Sequence, residues 1–197
     1  MSYGNVLVQR STDFAPFGAI LTSAYPDNSM YTVTLDLVQQ LWDRGDPDGY
    51  AEQMTSHPLP DTPSHTVLMQ IAYGDHQVSN YAAAVEARTI GARYHAPALN
   101  LKTNRARDRH LFYGIPAIGH YPFKGSAIVI WDAGQGQVQP PPVANRAPAD
   151  TSKNHDPHEF VRSSPRARVQ KSDFLRASGA VLDVCGGKPC RTYNYIP

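Results

Sequence analysis

One eight-residue run constrains the fold of this chain more than any other stretch: Thr66-Val67-Leu68-Met69-Gln70-Ile71-Ala72-Tyr73. It is mainly apolar, with Pro63 before it and Gly74 after it, which is the pattern of a short strand buried on both faces. The run reads as a central strand of a sheet covered by helices. Beyond Gly74-Asp75, Ser79 or Asn80 can cap a helix through Tyr81–Ile90 that stops at Gly91. Strand, polar turn and helix make half a βαβ unit, so the fold class expected is α/β with a mainly parallel sheet. A second buried strand is expected at Ser126–Trp131, and the apolar stretch around His110–Ile118 reads as either an edge hairpin or a pocket wall.

Residues 1–31 scatter Pro16, Pro26 and Gly18 among aromatics without a sustained period, which predicts a loop with short helical turns. From Thr32 on, Val33, Leu37, Val38, Leu41 and Trp42 recur at spacings of three and four, one apolar face of a helix ending near Gly45. A short helix through Tyr50–Met54 follows, then a proline-rich extended loop over 57–63. Between Asp132 and Pro157 the chain is rich in Pro, Gly and polar residues, a long excursion that cannot form a core of its own. Ser164-Pro165 then opens a last helix, to about Leu175, with serine at the cap and proline in the first turn.

At 197 residues, the chain is long enough for one sizeable domain. With 18 Lys and Arg against 17 Asp and Glu it offers no electrostatic reason to expect a nucleic-acid partner. No apolar run reaches the roughly 18 to 20 residues that would span a bilayer. The first ten residues lack the basic start and apolar core of a secretory signal. Two cysteines stand close together in Cys185-Gly-Gly-Lys-Pro-Cys190, where glycines and proline can fold a small loop. This favours a disulfide, with free thiols as the alternative. A metal there is not expected, because two sulfurs with no His nearby in sequence do not complete a tetrahedral shell.

Chemistry is expected at two places. Asp75 stands just past the carboxyl end of the first strand, where ligands of parallel sheets bind and where a carboxylate can orient a histidine. Position alone equally allows an aspartate that merely closes the turn or caps the next helix. The second place is Asn154-His155-Asp156-Pro157-His158-Glu159, which can return an imidazole to the same sheet edge as a general base. His158 is the favoured residue, because Pro157 limits its backbone and the last helix holds the loop end; His155 is the alternative. The same cluster could instead bind a metal or be plain solvated loop. His57, His65, His76, His95, His110 and His120 have no such context and read as structural.

The order of these elements resembles the C-terminal part of an α/β-hydrolase: a strand ending in Gly74-Asp75-x-x-Val78, a helix, a second strand, a loop histidine and a final helix. More narrowly, Leu41-Trp42-Asp43-Arg44-Gly45, Gly74-Asp75-His76-Gln77-Val78, Val85–Gly91 and Asp156-Pro157-His158-Glu159 are similar to a poorly characterised group of large exported bacterial hydrolase-like proteins. The resemblance implies one partial domain over 1–197, with a lid-like helical region at 12–62 and a Pro/Gly-rich loop at 132–157. It also implies the acid and histidine of a Ser-His-Asp triad at Asp75 and His158.

The departure from that pattern is the nucleophile: Gly-x-Ser-x-Gly occurs nowhere in these 197 residues. Since the triad order is Ser, acid, His, the resemblance implies a serine on another polypeptide or a preceding part, which also completes the sheet. The expectation is therefore a serine hydrolase of ester or amide bonds that is incomplete without that partner, needs no cofactor, and is extracellular or periplasmic if the disulfide forms. The rival expectation is a non-catalytic interaction or structural subunit that keeps the half-fold for binding.

Overall fold

A computed structural model describes residues 3–99, 111–133, 141–142, 144–149 and 156–192. The chain begins with three helices: α1 (Tyr3–Arg10), α2 (Ala15–Ala24) and α3 (Asn28–Trp42). A 3-10 turn (Pro47–Tyr50) and α4 (Ala51–Thr55) lead to β1 (Leu68–Ala72), then α5 (Asn80–Thr89), β2 (Arg93–Tyr94) and β3 (Ala127–Asp132). α6 (Phe160–Ser163), α7 (Pro165–Phe174) and β4 (Cys190–Arg191) close the order.

All four strands pair in parallel. β3 lies against β1 with Leu68 opposite Ala127 and Ala72 opposite Trp131. On its other side it meets β2 at Ala127 and Ile128, and β4 at Trp131 and Asp132. The expected α/β class with a parallel sheet and flanking helices is therefore present.

The central strand is β3 and not the Thr66–Tyr73 run. All six β3 residues are buried, whereas Leu68, Gln70 and Ile71 of β1 are half-buried. The run does form a strand, but apolar content cannot say how many neighbours it has. Tyr73 N donates to Trp131 O and Ala127 N donates to Val67 O. The intervening residues Leu68, Gln70 and Ala72 thus turn their main-chain groups away from β3, toward a side where no strand stands among the described residues.

The sheet's two faces carry two cores, as the period of two demands. Met69, Ile128 and Ile130 pack on one face against Ala83, Ala84, Ala87 and Ile90 of α5, whose small side chains let the helix sit close. Ala72, Val129 and Trp131 pack on the other face against Val161 of α6, Ala167 of α7 and both cysteines. The Ser79 side chain caps α5 by accepting from Tyr81 N and Gly91 ends it with φ of 66°; Ser164 stands at the N-cap position of α7 before Pro165, but its side chain makes no capping hydrogen bond. Leu111 and Ile115 enter the α5-side core, so this part of the His110–Ile118 stretch is core packing, and neither an edge hairpin nor a lining of the two cavities described below.

The N-terminal region differs from its expectation. Residues 1–31 hold two helices and the start of a third, not a loop with isolated turns. Asp27 caps α3, its Oδ1 accepting from Ser29 N at 2.9 Å and Met30 N at 3.0 Å, and Pro16 sits in the first turn of α2. On α3, Leu35 and Gln39 are buried, while Val33, Leu37 and Leu41 of the apolar stripe face outward.

Candidate active site

Asp75 stands three residues past β1 on a turn built by its neighbours. Gly74 takes φ of 79°, a conformation costly to other residues. Buried Asn80 clamps this exit: its Oδ1 accepts from Gly74 N at 2.8 Å and its Nδ2 donates to Ala72 O at 2.7 Å. Asp75 Oδ1 then accepts from Gln77 N and Val78 N, each at 2.8 Å. The turn-closing role that position alone allowed is therefore real, and it leaves Oδ2 for another partner.

That partner is His158. Its Nδ1 lies 2.9 Å from Asp75 Oδ2 and 3.2 Å from Oδ1 across 83 residues of sequence. The two side chains are 8% and 21% exposed, so the pair is sheltered but reachable. His158 directly precedes α6, and Asp156 fixes its loop: Asp156 Oδ1 accepts from His158 N at 3.1 Å and His76 N at 3.3 Å, and Oδ2 accepts from Gln77 Nε2 at 2.9 Å. One carboxylate thus ties the histidine loop to the aspartate turn.

The geometry fixes the tautomer of neutral His158. A carboxylate only accepts, so the proton sits on Nδ1 and Nε2 carries the lone pair. Arg162 Nη2 approaches Nε2 at 3.4 Å, as a donor facing an acceptor should. Glu159 Oε1 stands 3.9 Å from the same nitrogen. A cavity of about 480 Å³ opens beside the pair, lined by Thr12, Asp13, His76, Gln77, Asp156 and His158. Thr12 N also donates to His76 O, which anchors the α1–α2 connection to this rim.

The remaining histidines divide cleanly. His155, the alternative base, and His110 lie outside the described residues. His57 is exposed beside Glu52 at 3.0 Å, and His65 and His120 are exposed. His76 and His95 are buried. Among the described residues, no three ligating side chains of the 156–159 segment converge on a metal-sized space. Cys185 and Cys190 form a disulfide, with Cα atoms 5.3 Å apart. No His lies near these cysteines in sequence, but the fold brings His95 beside them from a position 90 residues earlier, where spacing gave no signal. Asn80 and Asp156 were missed as positioning residues, because a buried clamp and a carboxylate on main-chain donors have no motif.

Compared with known proteins, the chain matches no family model, no curated protein and no solved structure. What stands is a parallel α/β protein with an aspartate just past the carboxyl end of β1 paired to a histidine in the loop before α6. No helix among the described residues is long and apolar enough to cross a membrane.

Proposed function

We propose that this chain is the C-terminal portion of a serine hydrolase acting on ester or amide bonds. It supplies the acid and base of a Ser-His-Asp triad, while a partner polypeptide or a preceding part supplies the serine. The observation that carries this reading is the 2.9 Å contact between His158 Nδ1 and Asp75 Oδ2 beside an accessible cavity. The side of β1 where no strand stands among the described residues supports it further, because open parallel edges are ordinarily covered. So does the outward stripe of Met30, Val33, Leu37 and Leu41, each more than half exposed.

The chemistry follows from the tautomer. Asp75 holds the proton on Nδ1, so Nε2 accepts the serine proton as the serine oxygen attacks the carbonyl carbon. Asp75 then stabilises the imidazolium, which returns its proton to the leaving alcohol or amine. Water, activated by the same nitrogen, releases the acyl group from the serine. Arg162, now against Nε2, swings aside as the serine arrives, and Glu159 is placed to face the charged ring. Stabilisation of the oxyanion falls to the part that carries the serine.

The test is fluorophosphonate labelling of the assembly isolated from its natural source, followed by mass spectrometry. A labelled serine within Gly-x-Ser-x-Gly on an associated polypeptide, with labelling lost in His158→Ala, supports the hydrolase. An assembly that contains such a serine but labels equally in His158→Ala overturns it. A stable assembly with no such serine moves the reading to a non-catalytic binding subunit.

A further inference from the structure

The buried cluster around the disulfide carries an inference independent of the catalytic pair. The ligating atoms of His95, Cys185 and Cys190 all lie within 4.8 Å of one another, and all three residues are buried. His95 is held at both ring nitrogens: Nδ1 meets the Tyr121 hydroxyl at 2.6 Å and Nε2 meets Lys188 O at 2.8 Å. A carbonyl only accepts, so Nε2 carries the proton and Nδ1 accepts from Tyr121. Nε2, bonded to a residue between the two cysteines, is thus the nitrogen turned to the loop.

The loop is anchored by contacts that do not need the sulfur–sulfur bond. Asp183 accepts from Cys185 N at 3.1 Å and from Gly187 N at 2.7 Å. Gly186 and Gly187 take φ of 66° and 68°, which sets the turn. On the far side, β4 carries Cys190 against Trp131 of β3, and Thr192 N donates to Asp132 O. Opening the disulfide therefore leaves both sulfurs beside His95.

We propose that reduction converts this disulfide loop into a Zn²⁺ site made by Cys185, Cys190 and His95. A phosphine reductant supplies two electrons and takes up the oxygen of one water as its oxide, and the two protons of that water leave the bridge as two thiols. Zinc then displaces both thiol protons. Two thiolates balance the charge of the ion, so the buried site is neutral overall. Nε2 gives up Lys188 O and ligates, its proton being replaced by one on Nδ1, which donates to the Tyr121 oxygen. A histidine ligand held at its far nitrogen is the arrangement that orients zinc-bound imidazoles. Three protein ligands leave the fourth position to water.

The experiment uses the intact protein, reduced with a phosphine that does not compete for metal. Zinc is then measured by competition with a chromophoric chelator, and Co²⁺ replaces it as a spectroscopic probe. The expected result is one zinc per reduced chain, none in the oxidised chain, and a Co²⁺ spectrum with thiolate charge-transfer and tetrahedral bands. Tyr121→Phe, which removes no ligand, should weaken zinc affinity by about 10- to 100-fold while the oxidised protein folds normally. Equal zinc in oxidised and reduced protein, a Co²⁺ spectrum without thiolate bands, or a reduced chain that unfolds before metal is added would each overturn the proposal.

Discussion

The sheet region and the N-terminal helices use their apolar residues in opposite ways. Around β1, β3 and α5, patterned apolar residues face one another, and Ala127, Val129 and Trp131 are fully buried. On α2 and α3, an equally regular stripe faces outward: Ile20 is 65% exposed and Leu41 66%. At its Leu41 end an open depression of about 400 Å³ is lined also by Leu7, Phe14 and Trp42. An apolar period shows that a face exists but not what covers it. In the sheet the chain covers its own face; on the helices nothing among the described residues covers the stripe, and none of them adds a strand on the far side of β1.

The sharpest way to break that comparison is at the pair both regions flank. In the completed assembly, Asp75→Asn should lower turnover by up to about ten-thousand-fold, as the equivalent change does in serine proteases, with little change in melting temperature. His158→Ala should cost about as much. Steady-state ester hydrolysis on each variant checks this.

Stability separates the regions next. Trp131→Ala should destabilise the chain by about 3 to 5 kcal/mol, since it empties a fully enclosed site. Leu37→Ala should change the isolated chain by less than about 0.5 kcal/mol but weaken the assembly. Denaturant titration and a binding titration measure the two effects. Equal costs in the isolated chain would show that the helical stripe is covered after all.

Asn80→Ala removes the clamp on the β1 exit and leaves Gly74 N and Ala72 O without their buried partner. A loss of about 1 to 3 kcal/mol is expected in denaturant titration, together with reduced catalysis because the Asp75 turn loosens.

The smallest effect joins the two regions. Glu86 of α5 has its carboxyl held above its ordinary value of 4.5, first by burial and then by Asp48 and Asp46. The folded chain therefore binds this proton more tightly than the unfolded chain. The stability it contributes is complete below pH 4.5 and is lost as pH rises through the elevated value. Glu86→Gln should raise the melting temperature at pH 7, and the gain should vanish on acidification.

Much of this architecture was legible in residues with a mechanism attached. Ser79 and Gly91 bracketed α5 because capping chemistry is local, and Pro165 marked the start of α7 because proline suits a first helical turn. β1 and β3 were found because short apolar runs between breakers have few alternatives. Strand order was not legible, since Thr66–Tyr73 and Ser126–Trp131 look alike although the second lies centrally and the first has a strand on one side only among the described residues. The apolar period from Val33 to Trp42 marked the body of α3, whose start at Asn28 is set by the Asp27 cap, whereas α2 has only Pro16 to mark it. Within the site, Asp75 and His158 stood out by position relative to strands. Asp156 and Asn80 did not, because their partners are main-chain groups brought near only by folding.

The central claim is that Asp75 holds His158 with its proton on Nδ1 and its lone pair on Nε2. Nitrogen-15 NMR of the imidazole, recorded at a pH where His158 is neutral, reads this directly. The account predicts a protonated Nδ1 with a hydrogen-bonded proton and a bare Nε2, and a shift toward the opposite tautomer in Asp75→Asn. A proton resident on Nε2 in the unaltered chain, or a tautomer indifferent to Asp75→Asn, would contradict it.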